Sequence, residues 1–188
     1  MRIAIDIDRT LLDCDSFLYK FVNDMFSNQN ANRRLKYKNL VITGKHTEGV
    51  LKYISRICNH KHYTIMGNAG KIINKWYDNK YEIMLLSNRP GVKALDNTLI
   101  NCINRFDIKF NKIITQCNNK VLFCKENNID VLIDNCYSIC ENCIKNGVTA
   151  IWYNKENFKC KNSNVINSNS WNEIDNEVKK ILNNKKKR

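Results

Sequence analysis

The run Ile3-Ala4-Ile5-Asp6-Ile7-Asp8-Arg9-Thr10-Leu11-Leu12 is apolar and contains two carboxylates one residue apart. If its first residues form a buried strand, the pair stands at one edge of a sheet. Desolvated negative charge persists there only with a compensating cation. Mg²⁺ with oxygen ligands is the usual compensation. The alternative is a strand followed by an ordinary Asp-rich turn. Three further positions bear on that choice. Ser87 closes a second apolar run, Lys120 opens the helical stretch after a third, and Asp134-Asn135 closes a fourth. If those runs are parallel strands, all three positions converge on the crevice beyond the strands' carboxyl ends. They add a hydroxyl donor, a cation and another carboxylate to the acidic pair.

The elements that must position these residues follow from periodicity. β-branched and apolar runs at 2–7, 81–86, 110–115, 131–133 and 148–153 predict strands, and Pro90-Gly91 stops the second from continuing. Apolar residues at helical spacing predict helices over 92–106, carrying Leu95, Leu99, Ile103 and Phe106, and over 120–127, 137–146 and 171–182. Strand and helix alternating from residue 81 onward imply an open parallel five-stranded Rossmann-like α/β sheet with helices on both faces.

The stretch 14–80 breaks the alternation. Its apolar positions (Phe17, Phe21, Met25; Val50, Leu51, Ile54, Ile57; Ile72, Ile73, Trp76) follow helical periods without an obvious complete strand. It is expected to be a small helical cap inserted after strand 1, above the acidic pair, leaving 1–13 and 81–188 as the core. The stretch 162–170 is rich in Asn and Ser and is expected to be a loop.

These motifs together resemble the haloacid dehalogenase (HAD) superfamily of phosphohydrolases. Its four signatures are Asp-x-Asp-x-Thr/Val, a strand-terminal Ser/Thr, a Lys or Arg, and a terminal acidic group. They read here as Asp6-Ile7-Asp8-Arg9-Thr10, Ser87, Lys120, and Asp134 with Asn135. The insert after the first signature and the stretch from Lys120 to Asn135 look like the 5'(3')-deoxyribonucleotidase branch and its nucleotidase relatives. The resemblance implies that Asp6 is a nucleophile attacking phosphorus and Asp8 a general acid and base. It implies Mg²⁺ held by Asp6, the backbone carbonyl of Asp8 and Asp134. It also implies phosphate contacts from Thr10, Ser87, Asn88, Lys120 and the backbone N–H groups after Asp6. Arg9 stands where the family commonly has Gly, and Asn135 where a second Asp is frequent. Arg9, Arg89 and Asn135 are expected to border the site.

Net charge is +13 from 31 Lys and Arg against 18 Asp and Glu, which attracts polyanions without choosing among them. Part of that excess is also what an AT-rich genome gives, since Asn occurs 31 times beside abundant Lys and Ile. No apolar run approaches the roughly 18 residues that cross a bilayer, and charges interrupt the first ten residues, so no membrane association and a cytoplasmic location are expected. Nine cysteines, an odd number with no secretory signal, are expected as reduced thiols.

Weaker motifs have plain explanations. Cys136, Cys140 and Cys143 match the spacing of an iron–sulfur loop, but they follow a late strand and share one helix face, so packing against the sheet is expected. Cys58, His60 and His62 fit no structural zinc spacing, and Gly44-Lys45-His46-Thr47 fails as a phosphate loop. The cationic run from Arg33 to Lys38, and the rings of Tyr19, Phe21 and Tyr53, are open to either substrate contact or ordinary surface and core roles.

The expected function is a Mg²⁺-dependent phosphomonoester hydrolase acting on (deoxy)nucleoside monophosphates. The alternatives are a phosphatase of nucleic-acid ends and a non-catalytic HAD-fold protein that binds nucleic acid or phosphate.

Overall fold

The computed structural model describes residues 1–13, 63–88 and 93–186. In chain order the elements are β1 (Arg2–Asp6), β2 (Leu12–Asp13), β3 (Thr64–Ile65), α1 (Ala69–Asp78) and β4 (Glu82–Leu86). They continue with α2 (Lys93–Asn104), β5 (Lys112–Ile114), α3 (Lys120–Glu126), β6 (Val131–Asp134) and α4 (Tyr137–Lys145). β7 (Thr149–Tyr153), β8 (Ile166–Ser168) and α5 (Trp171–Lys186) complete the chain.

The main sheet runs in the order β5-β4-β1-β6-β7-β8, and every pairing in it is parallel. Alternation along the strands splits the core into two layers, as the pleat requires. Ile3, Ile5, Ile83, Leu85, Val131, Ile133 and Ile151 face a cluster with α1, α2 and α5. Ala4, Met84, Leu86, Leu132, Ala150 and Trp152 face a second cluster that includes Cys124 of α3 and Cys140 and Cys143 of α4. Strands buried on both faces read as continuous apolar runs, which is why they were visible in the sequence. The α/β class with helices on both faces is the expected one.

The sheet has six strands, not five. β8 lies in the Asn- and Ser-rich stretch expected as a loop, where it pairs Ile166 with Ile151 and Ser168 with Tyr153. Three residues of mixed polarity carry no period of their own. The exposed edge of β7 supplies their partners, and Val165 and Ser168 are buried against it.

The expected insert also changes at its downstream end. β2 and β3 pair antiparallel, Leu12 with Ile65 and Asp13 with Thr64, so the chain leaves and returns at one place immediately after the turn that follows Asp6 and carries Asp8. The helix read around Ile72, Ile73 and Trp76 is α1, and those three side chains lie in the main core cluster beside Trp171, Ile174 and Val178 of α5. Its apolar stripe faces the sheet, so periodicity identified the helix but could not say which body it covers. Residues 14–62, with the Arg33–Lys38 run, the histidines and Tyr19, Phe21 and Tyr53, lie outside the described residues.

α1 and α5 are joined by a buried polar link. The Trp76 indole Nε1 donates to Asp175 Oδ1 at 2.7 Å, and Lys75 and Lys179 approach the other oxygen at 3.3 and 2.7 Å. Burial works against the Asp175 charge, but hydrogen bonds from Lys179, Trp76 and Lys75 outweigh it and hold the carboxyl below its ordinary value of 3.8. Its stabilising contribution is therefore complete above that value and lost as pH falls through the lower folded one. Asp175→Ala leaves the indole N–H without its acceptor. The expected cost is about 1–3 kcal/mol in urea unfolding at pH 7, shrinking towards pH 3, with Asp175→Asn costing less.

Candidate active site

The strand order reverses direction at β1, with β4 on one side and β6 on the other, and ligand crevices form at such a point beyond the carboxyl ends. β1 ends in Asp6, β6 ends in Asp134, Ser87 directly follows β4, and Lys120 is the first residue of α3. Asp6, Ser87, Lys120 and Asp134 are all buried, Asp134 completely.

Lys120 ties two strands together. Its Nζ donates to Asp6 Oδ1 at 2.5 Å and to Asp134 Oδ2 at 2.6 Å. The remaining carboxylate oxygens are engaged as well: Thr10 Oγ1 donates to Asp6 Oδ2 at 2.9 Å, and the Cys136 N–H donates to Asp134 Oδ1 at 2.8 Å. One ammonium shared by two buried carboxylates leaves an anionic excess. Burial first, and then the charge of Asp134, push the Asp6 carboxyl up to about 7, although Lys120 pulls it down. Burial disfavours the Lys120 charge too, yet the two carboxylates outweigh it and keep the ammonium protonated above its usual range. Both directions follow from one cation serving two anions.

Asp8 lies on the turn after β1, where its Oδ2 accepts a hydrogen bond from Ser87 Oγ at 3.3 Å. That turn folds back on itself. The Leu12 N–H donates to the Ile7 carbonyl at 2.8 Å, the Arg9 N–H donates to the Leu12 carbonyl at 2.9 Å, and Arg9 has φ +63°. Left-handed backbone at a non-glycine residue is strained, and Gly would relieve that strain at this place.

Thr10 departs from expectation. It is completely buried, its hydroxyl proton goes to Asp6, and its oxygen accepts the Asn135 N–H at 3.1 Å. It steadies the Asp6 carboxylate and couples it to the end of β6, with no exposed face for a phosphate. The Ile7 and Arg9 N–H groups are likewise engaged within the fold, the former with Leu86. Asn88 is exposed at the same edge and bridges to Gln116. Asn135 is half-buried, and Arg89 lies outside the described residues.

Two tryptophans were not anticipated at the site. Trp171 Nε1 donates to the Thr10 carbonyl at 3.1 Å, and Trp152 Nε1 donates to the Asn135 carbonyl at 3.0 Å. They brace the two site loops from behind. No spacing rule marks them, because their partners are main-chain oxygens contributed by the fold. Cys140 and Cys143 are completely buried in the second core layer, in keeping with a packing role.

Among the described residues, no three His, Cys, Asp or Glu side chains gather as a metal set. The site offers two carboxylates, Asp6 and Asp134, brought close enough to be shared by one cation. Such hard oxygen donors fit Mg²⁺, which keeps several of its waters.

No protein-family model and no curated protein matches the chain in sequence. Solved structures do match in shape. A HAD-superfamily hydrolase from Ehrlichia chaffeensis is 15% identical with TM-score 0.58, covering 96% of this chain and 97% of that one. A HAD phosphatase from Thermococcus onnurineus is 15% identical with TM-score 0.59, over 96% and 97%. An L-2-haloacid dehalogenase is 12% identical with TM-score 0.65, over 95% and 98%. The chain therefore has the haloacid dehalogenase-like α/β fold.

Lys120→Met removes the shared cation and leaves two buried carboxylates uncompensated. Stability measured in chelator at pH 8 is expected to fall by about 3–5 kcal/mol, with millimolar Mg²⁺ restoring part of it. No recovery with Mg²⁺ would mean the pair does not take the metal.

A second expectation concerns pH in the unaltered chain. Because the folded Asp6 carboxyl sits above its ordinary 3.8, the fold takes up a proton there. Its contribution to stability in chelator declines from about pH 4 to pH 7. The rise in melting temperature caused by Mg²⁺ should grow across the same window, since the metal needs the deprotonated carboxylate. A pH-independent rise would contradict this.

Proposed function

We propose that the chain is a Mg²⁺-dependent phosphomonoester hydrolase, acting on (deoxy)nucleoside monophosphates through an aspartyl-phosphate. The observation that carries this reading is the meeting of Asp6 and Asp134, from two strand ends, with Lys120 from the start of α3, and with Ser87 and Asp8 hydrogen-bonded at the same edge. The likeness of the fold to solved hydrolases and phosphatases supports it.

Asp6 has the position of a nucleophile: one oxygen is held by Thr10, and the other faces Lys120. On attack, a new Asp6 Oδ–P bond forms in line as the ester P–O bond breaks. Asp8, two residues on, passes a proton to the departing alkoxide and then takes one from the water that hydrolyses the aspartyl-phosphate. Lys120 turns from the carboxylates towards the non-bridging oxygens, where it offsets charge that would otherwise repel a phosphate dianion by several kcal/mol. Ser87 contributes a hydroxyl at the same edge. Mg²⁺ held by Asp6, Asp134 and the Asp8 carbonyl would supply the remaining positive charge.

Asp8 also favours phosphate-ester chemistry over dehalogenation, the activity in one structural neighbour's name. A halide leaves without a proton, whereas an alkoxide needs one, and an acid two residues beyond the nucleophile supplies it. The nucleotide class rests on the resemblance of the insert and of the stretch from Lys120 to Asn135 to nucleotidases.

The test is phosphate release from a panel of phosphomonoesters, including deoxynucleoside monophosphates, with Mg²⁺ or chelator. Asp6→Asn should reduce release by at least a thousandfold, and chelator should do the same to the unaltered chain. Lys120→Met should cost more than Ser87→Ala. Release that persists in Asp6→Asn, or without metal, would remove the mechanism. Absence of release from every ester would favour the binding-protein alternative.

A further inference from the structure

Phe158 is the one exposed aromatic ring among the described residues, with 62% of its surface in water. It sits on the loop between β7 and β8, and that loop starts at the edge carrying the acidic site. In the parallel register Trp152 lies opposite Asp134, so Asn154 is two residues further along the neighbouring strand. From strand spacing and rise, the root of the loop is within roughly 10 Å of Asp134.

The loop is built rather than slack. Asn154 is buried, and its side chain clamps the Phe158 backbone twice: Oδ1 accepts the Phe158 N–H at 2.9 Å, and Nδ2 donates to the Phe158 carbonyl at 2.7 Å. The Asn154 N–H donates to the Ser168 carbonyl at 2.8 Å, and the Asn157 N–H donates to the Asn154 carbonyl at 3.0 Å. With its backbone held at that point, the exposed ring is presented where something flat can cover it.

Its surroundings say what that is. Residues 155–161 are exposed apart from a half-buried Cys160, and they carry Lys155, Lys159 and Lys161 against the single acid Glu156. Lys155 Nζ lies 3.9 Å from Asp13 Oδ2 of β2, just past the turn that carries Asp8, which ties the strip to the site side of the sheet. An aromatic platform interleaved with cations suits a strand of stacked bases and phosphates.

We propose that the 154–162 loop is a docking strip for single-stranded nucleic acid, Phe158 stacking a base and Lys155, Lys159 and Lys161 meeting backbone phosphates. On this view a polynucleotide end presents its phosphate to Asp6 as a further substrate beside the mononucleotides. That last step rests on the phosphatase reading; the binding surface does not.

The test measures binding of a labelled, terminally phosphorylated dT10 to the full chain carrying Asp6→Asn, by fluorescence anisotropy across a salt series. Phe158→Ala should weaken binding roughly tenfold. Replacing Lys155, Lys159 and Lys161 by Ser should weaken it further and lower the slope of log affinity against log salt by about 2. A duplex of the same length should bind more weakly and be indifferent to Phe158. Unchanged affinity in Phe158→Ala, or duplex binding as tight as single-stranded, overturns the proposal. The two readings fail separately. Phosphate release from mononucleotides with Phe158-independent dT10 binding sinks only the strip, whereas Phe158-dependent binding without release from any ester sinks only the phosphatase.

Discussion

A single ammonium held between two buried carboxylates organises this molecule. Lys120 comes from the start of α3, Asp6 from the end of β1 and Asp134 from the end of β6, and the three meet with distances of 2.5 and 2.6 Å. Burying these charges is unfavourable for each alone. It becomes tolerable because each carboxylate also accepts a second hydrogen bond, from Thr10 or from the Cys136 N–H. One positive charge against two negative ones is an unbalanced arrangement. That residual negative charge is the physical ground on which a further cation is proposed there.

That constraint explains why the surroundings are so firmly braced. Thr10 is held by Asn135 through its hydroxyl and by Trp171 through its carbonyl, while the Asn135 carbonyl is held by Trp152. The two strand-end loops therefore cannot separate without breaking several buried contacts. Trp171 belongs to the same packed layer as Trp76, their rings 6.1 Å apart, so the bracing passes into the α1–α5 face of the core. Rigid support behind a charged site limits reorganisation when charge moves, which electrostatic catalysis requires.

On the open side, the arrangement is different. β2 and β3 mark the point where the chain departs and returns beside the turn bearing Asp8. The loop after β7 stands on the same edge, anchored by Asn154 and carrying an exposed ring and lysines. On the proposed reading, charge neutralisation at the carboxylates is thus separable from the surface that meets the rest of a ligand. A change in that loop can alter what binds without disturbing the carboxylates.

By itself the sequence determined the strands and most helices, because strands buried on both faces must be continuous apolar runs and covering helices must repeat near every third or fourth residue. It also marked Asp6, Ser87 and Asp134, polar residues where apolar runs end, and Asp8 and Lys120, in the connections that adjoin such ends. Only the tertiary structure decided the rest. β8 exists because β7 offers it an edge, and α1 joins the core because its stripe meets α5. Thr10 turns inward because Asp6 and Asn135 claim its hydroxyl. Trp152 and Trp171 support the site through main-chain oxygens that no spacing in the chain could announce. Contacts of that kind depend on which surfaces come together in three dimensions, and local residue order does not encode them one by one.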